Sequence, residues 1–275
     1  MLIIKKNIHN SQLIIQHYYL ITLLTKTKQK MKVSKFLVSA LVVVATTVSS
    51  MAQTAEEIAK KHIEAIGGAE KWKAIKGIEI KNRMSIGGMD VESKSIILVG
   101  KGLRTEASVM GQKIVTALDG DQGWTILPSM MGGTGEPQEL PNAVTKQTKG
   151  QMNFGGALID YVEKGVTLEL VGKEKVDNVE TYRLKLTEKN GDVTNVFVSP
   201  TTYYIVKTTA NRVINAKSTD IELSFSNFKA VDGLIFPFTT EIPSPMGGGQ
   251  MTMEVDSIKL NPTIDEAIFK KPSKK

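Results

Sequence analysis

Chemistry in this 275-residue chain would have to come from a short roster of side chains. There is no cysteine, so thiol nucleophiles, disulfides and cysteine-based zinc sites are excluded. Of the three histidines only His62 lies beyond residue 52. A Ser-His-Asp triad would have to use it, and no nucleophile-elbow sequence accompanies it. Asp119-Gly120-Asp121-Gln122-Gly123 begins like a calcium loop, but Gly123 and Met130 stand where ligands are needed, so the stretch reads as a turn. Glu169, Glu222 and Glu254 could pair as general acid and base on neighbouring strands. Solvated charges are common at alternate strand positions, however, and no spacing singles out a pair. The expectation is a protein with no catalytic residue, no metal and no cofactor: not an enzyme.

What the sequence offers instead is adaptable apolar surface. Nine of the twelve methionines fall after residue 52, four of them in or beside Met130-Met131-Gly132-Gly133 and Met246-Gly247-Gly248-Gly249-Gln250-Met251. Methionine is flexible and polarizable and suits surfaces that accept varied apolar partners, and glycine lets a loop move. Both loops are expected to border the mouth of an apolar cavity; the alternative is a pair of ordinary flexible hairpin loops.

The N-terminal segment says where the protein works. Lys32 and Lys35 precede an apolar run from Phe36 to Val48, and Ser50-Met51-Ala52 offers small residues at the cut. That layout is expected to be a secretory signal peptide over 31–52, cleaved between Ala52 and Gln53. Its apolar core is shorter than the roughly 20 residues of a membrane span. Residues 1–30 carry lysines but no acid and are expected to be an upstream extension ahead of the true start at Met31. All of residues 53–275 then form one exported domain, periplasmic and free of a lipid anchor. Seven of the 35 basic residues and none of the 28 acidic ones lie in 1–52, so the net charge of +7 belongs to the leader. Residues 53–275 are formally neutral and lack a basic footprint for nucleic acid.

Local patterns supply the elements. Thr54 with Glu57 forms a capping box, Ile58, His62, Ile63 and Ile66 share a broad face, and Gly67-Gly68 ends the turn. His62 therefore lies on or beside a buried face, where it packs or caps. A brief second helix is expected over Ala69 to Lys76. From Gly77 the period changes to 2: Ile78, Ile80, Met84 and Ile86 alternate with polar residues, and strands follow at 89–100, 103–110, 113–118 and 123–127. Such closely spaced strands form an antiparallel meander, since parallel pairs need long crossovers. Pro141 to Lys164 breaks the rhythm with two helical pieces, the second at Ala157 to Glu163. Strands return from Val166 to Leu260, with Asn190-Gly191 and Asp232-Gly233 as tight turns. The sum is an α+β fold: about eleven strands in a large curved antiparallel sheet with helices on one side.

Several short motifs, in order, are similar to the LolA/LolB superfamily of lipoprotein carriers, in the divergent form described as outer-membrane lipoprotein-sorting proteins. They are Gly67-Gly68, Glu70, Trp72, Ala74 and Ile75; Asp119-Gly120 leading to Gly123-Trp124; Tyr182 to Leu186; Phe225 to Lys229 with Val231 to Pro237; and Ile258 to Phe269 with Pro272. The resemblance implies an unclosed antiparallel β-barrel whose concave face is covered by helices and encloses a cavity for acyl chains. It implies a soluble periplasmic carrier of lipoproteins or another lipid toward the outer membrane, loaded by an inner-membrane transporter and emptied by an outer-membrane receptor. The lid-fixing arginine of that family has no residue-by-residue match; Arg83 and Arg104 are candidates on early strands. A non-enzymatic sensor or adaptor binding a protein on the same sheet is the alternative. Cavity-lining candidates are Ile80, Met84, Ile97, Val99, Val109, Met130, Met131, Leu184, Leu223, Phe225, Phe236 and Met246, with Leu186 beside them. The physics suits such a carrier: at about 0.8 kcal/mol per methylene, a sixteen-carbon chain resists entering water by roughly 12 kcal/mol.

Overall fold

Two helices lead into the sheet. The first, α1 (Ala55–Ala65), starts on the expected capping box: Thr54 Oγ1 accepts from the Glu57 amide, and Glu57 accepts from the Thr54 amide. Ala55, Ile58, Ala59 and His62 are buried at the spacing of a single helix face. A short α2 (Ala69–Lys73) follows and buries Trp72. The chain between them passes so close to the sheet that a Cβ on Gly67 would lie 2.4 Å from the Gly233 carbonyl oxygen. Gly67 also has φ +111, so glycine is required twice over. In a computed structural model, residues 53–86, 89–150, 152, 155–214, 217–243 and 250–273 are described. The expected signal peptide and the upstream extension lie outside them, as does Met246.

The sheet has thirteen strands: β1 (Gly77–Ile86), β2 (Met89–Leu98), β3 (Gly102–Val109), β4 (Gln112–Asp119), β5 (Gln122–Ile126), β6 (Gln138–Glu139), β7 (Thr167–Val176), β8 (Val179–Thr187), β9 (Val193–Val198), β10 (Ile205–Ile214), β11 (Lys217–Val231), β12 (Leu234–Pro243) and β13 (Gln250–Leu260). Their order is β6-β5-β4-β3-β2-β1-β13-β12-β11-β10-β9-β8-β7, antiparallel throughout. β6 and β7 are the two edges and do not pair, so the sheet is not closed. The strand count exceeds the expected eleven partly because β6 is two residues long, too short to show a period.

The insertion contains one helix, α3 (Asn142–Gly150). The second expected helical piece, Ala157 to Glu163, is instead a run of turns, because Asp160 takes φ +56, a left-handed conformation that an α-helix cannot continue through. Lys73 clamps this segment to α2 through Asp160 (2.8 Å). One sheet face carries α1, α2, α3 and this turn segment. The other is largely charged, except where a C-terminal 3₁₀ turn (Glu266–Phe269) packs on β3 to β5. There Phe269 fills the space that a side chain at Gly102 would occupy, and Trp124 Nε1 donates to the Phe269 carbonyl at 2.7 Å.

Candidate functional site

The helix-bearing face is a ladder of side-chain rows set by strand register. The first row is Gly123, Leu118, Leu103, Ile97, Ile78 and Leu260, crossing β5, β4, β3, β2, β1 and β13. Its members join Trp72, Ile75, Leu234, Phe236 and Phe238 in one cluster, with Trp72 and Phe236 ring centroids 4.8 Å apart. This end is packed solid. A second cluster holds Ala55, Ile58 and Ala59 of α1 and Leu158 against Leu184, Leu186, Val196 and Val198.

The second row is Thr125, Thr116, Thr105, Ser95, Ile80 and Ile258. Four neighbouring strands thus place a hydroxyl at the same level. Ser95 and Thr105 hydrogen-bond each other (3.0 Å), and Thr125 donates to the Val115 carbonyl. The third row is Ile114, Ala107, Ser93, Asn82 and Val255. A register shift between Lys81 and Asn82 keeps Val255 and Met253 in phase with β1. The fourth is Val91, Met84, Met253, Thr240 and Phe225. Beyond it on the same face lie Val109, Met251, Ile242 and Leu223.

Met84, Val109, Leu223, Phe225, Ile242, Met251 and Met253 are half-buried, and among the described residues none belongs to a buried cluster. The strand ends nearest them lead to the β5–β6 connection, where Met130 and Met131 sit in a 3₁₀ turn, 61% and 46% exposed. Met110, in the β3–β4 turn at the same end, is 67% exposed. Methionines therefore lie on and beside a half-buried apolar stretch of the sheet.

The candidates from the sequence divide accordingly. Met84, Val109, Leu223 and Phe225 lie on this half-buried stretch. Ile97 and Phe236 are part of the packed end, with Ile80 against it, and Leu184 is fully buried beneath α1. Val99, 49% exposed, lies in the turn after β2. Asn82, Ser93 and Met253 escaped sequence reasoning, although continuing the period of Ile80 and Met84 would have placed Asn82 between them.

Neither arginine considered for fixing a lid is on this face. Arg83 pairs with Glu254 and Asp256, and Arg104 with Glu106 and the Ile268 carbonyl, both on the opposite side. Arg212 does lie on the helix-bearing face, donating to Thr194 Oγ1 (2.8 Å) and the Val193 carbonyl (2.9 Å). Thr194 borders an open cavity of about 520 Å³ with Leu186 and Val166 at its base and Lys164 and Lys189 at its rim.

His62 packs and holds the frame. Its Nδ1 lies 2.7 Å from the Tyr203 carbonyl, which can only accept, so the neutral ring carries its proton on Nδ1. Burial holds the imidazole below its usual pKa, opposed by that hydrogen bond. Gln53 and Lys61 donate to the Tyr203 hydroxyl and hold its pKa below the usual phenol value. Among the described residues no group of three or more acidic or histidine side chains could hold a metal.

No family model matches the chain, and no curated protein matches it. Solved structures do match. A DUF1329 family protein from Desulfovibrio piger is 14% identical, with 79% of this chain and 98% of that one covered at a TM-score of 0.50. A LolA superfamily protein from Nitrosomonas europaea covers 79% and 98%, at 14% identity and a TM-score of 0.48. An outer-membrane lipoprotein-sorting protein domain from Vibrio parahaemolyticus covers 78% and 95%, also at 14% and 0.48. At 14% identity the likeness to the DUF1329 family protein speaks to fold alone. Among the described residues no helix is long and apolar enough to cross a membrane.

Proposed function

We propose that residues 53–275 form a non-enzymatic periplasmic carrier that takes up acyl chains of a lipoprotein or another lipid for transfer toward the outer membrane. One observation supports this reading: half-buried apolar side chains from β1, β3, β11, β12 and β13 share the helix-bearing face, outside the buried clusters of the described residues. Left to water, such surface costs about 25 cal/mol per Å², and an acyl chain is its natural cover. Met84, Val109, Leu223 and Phe225 contact the chain, and the Met130–Met131 turn, with Met246, borders the entrance. Ile80, Ile97, Leu184 and Phe236 form the packed floor that keeps the surface from collapsing. Direction of transfer then comes from partners, a loading transporter in the inner membrane and a receptor at the outer one.

Chloroform extraction of the protein purified from its own periplasm, followed by mass spectrometry, tests the reading. A stoichiometric acyl lipid is expected. A lipid-free protein that retains a specific protein partner would instead make this face an adaptor surface.

A further inference from the structure

The rows beyond the packed end are not uniformly apolar. On β11 to β13 they present Phe225, Leu223, Ile242, Met251 and Met253 with Thr240, whereas on β1 to β3 Met84, Val91 and Val109 stand among Asn82, Ser93, Ser95 and Thr105. Ser95 and Thr105 satisfy each other. Asn82 is different: its carboxamide oxygen is buried and has no hydrogen-bond partner among the described residues. A buried acceptor without a donor is costly and uncommon in a folded protein. Asn82 pairs in register with Ser93 on the adjoining strand. The Ser93 hydroxyl makes no side-chain hydrogen bond to a described residue. An acceptor that needs a donor, beside a hydroxyl free to donate or accept, matches a group that can do both, and that group is an alcohol.

Resting on the carrier reading, we propose that the ligand is an acyl lipid with free hydroxyls next to the root of its chain, an acylated glycerol or sugar. The chain lies on Met84, Met253 and Phe225, and a ligand hydroxyl donates to Asn82 Oδ1 while accepting from Ser93. A plain fatty-acid ester covers the same apolar surface but leaves Asn82 unsatisfied.

The test is displacement of a fluorescent C12 fatty acid from the full mature protein by glycerol monolaurate, sucrose monolaurate and methyl laurate. The readout is how strongly each hydroxylated lipid is preferred over methyl laurate, compared between the wild type and Asn82→Leu. That comparison cancels differences in aqueous solubility. The preference is expected to fall about tenfold in Asn82→Leu. It should fall in the same direction in Ser93→Ala, which decides the matter alone if Asn82→Leu does not fold. Loss for the glycerol ester identifies a glycerolipid, and loss for the sucrose ester alone identifies a glycolipid. Unchanged preferences in folded variants overturn this inference and leave the carrier reading intact. Failure of the wild type to bind the probe or any of the three lipids overturns both.

Discussion

The two ends of the helix-bearing face use similar residues to opposite effect. At one end Ile78, Ile97, Leu103 and Leu118 meet Trp72 and Phe236 from above and are buried in one cluster. A few residues further along, Met84 and Val109 on the same strands and Phe225 and Met253 on β11 and β13 are apolar and well aligned, but no buried cluster of the described residues includes them. The sheet is continuous across both. What differs is the layer above it: among the described residues, α2 and the Gly67-Gly68 crossing close one end, and the carrier reading assigns the rows beyond the hydroxyl belt to a ligand. Substitutions at the first end should cost stability, and those at the second should cost binding.

Trp72→Ala should have the largest effect, destabilising by about 3–5 kcal/mol because it opens a cavity against Phe236; denaturant unfolding measures it, and a loss below about 1 kcal/mol would show that the end is not tightly packed. Met84→Ser/Phe225→Ser should reverse the balance, weakening uptake of a fluorescent fatty acid at least tenfold while lowering stability by only about 1 kcal/mol.

His62 sharpens the comparison through pH. Its folded pKa lies below the unfolded value of about 6.5, so the unfolded chain binds the proton first. Its contribution is fully present above that value, declines as pH falls through it, and levels off below the folded pKa. The slope cannot exceed about 1.4 kcal/mol per pH unit for one proton. Comparing His62→Gln with wild type by denaturant titration from pH 8 to 5 should show that component of the slope disappear. Thr54→Ala should cost about 1 kcal/mol by removing the α1 cap, measured by thermal unfolding. Met130→Ser/Met131→Ser should change stability by less than about 0.5 kcal/mol, with a severalfold loss of uptake in the same fatty-acid assay. Unchanged uptake would reduce that turn to an ordinary loop.

The features that could be read from sequence were the local ones. Thr54 and Glu57 announce α1, and the Asp232-Gly233 turn announces the β11–β12 hairpin, because a cap or a tight turn is specified by the few residues that make it. β6 was hidden because Gln138–Glu139 is too short to carry a period, and the Ala157–Glu163 helix failed on the backbone of Asp160, which side-chain pattern does not report. Period 2 places Ile97, Met84 and Phe225 on one face but does not say what packs above each. That depends on where Trp72 and α1 land, through contacts between residues distant in sequence. The motifs that carry the LolA-like resemblance, Trp72, Leu234 to Pro237 and Trp124 with Phe269, largely mark packing, so they revealed the fold sooner than the site. Asn82 was overlooked for the opposite reason: a polar residue between Ile80 and Met84 reads as a break in the pattern, although period 2 puts it on their face.

Photolabelling tests the central claim most directly. The mature protein would be irradiated with a fatty acid bearing a diazirine on its chain, with and without excess unlabelled fatty acid, and the modified residues mapped by peptide mass spectrometry. Competable labels on the β1, β11 and β13 peptides containing Met84, Phe225 and Met253 are the predicted result. Labels confined to the charged face, or none that competitor removes, would contradict it.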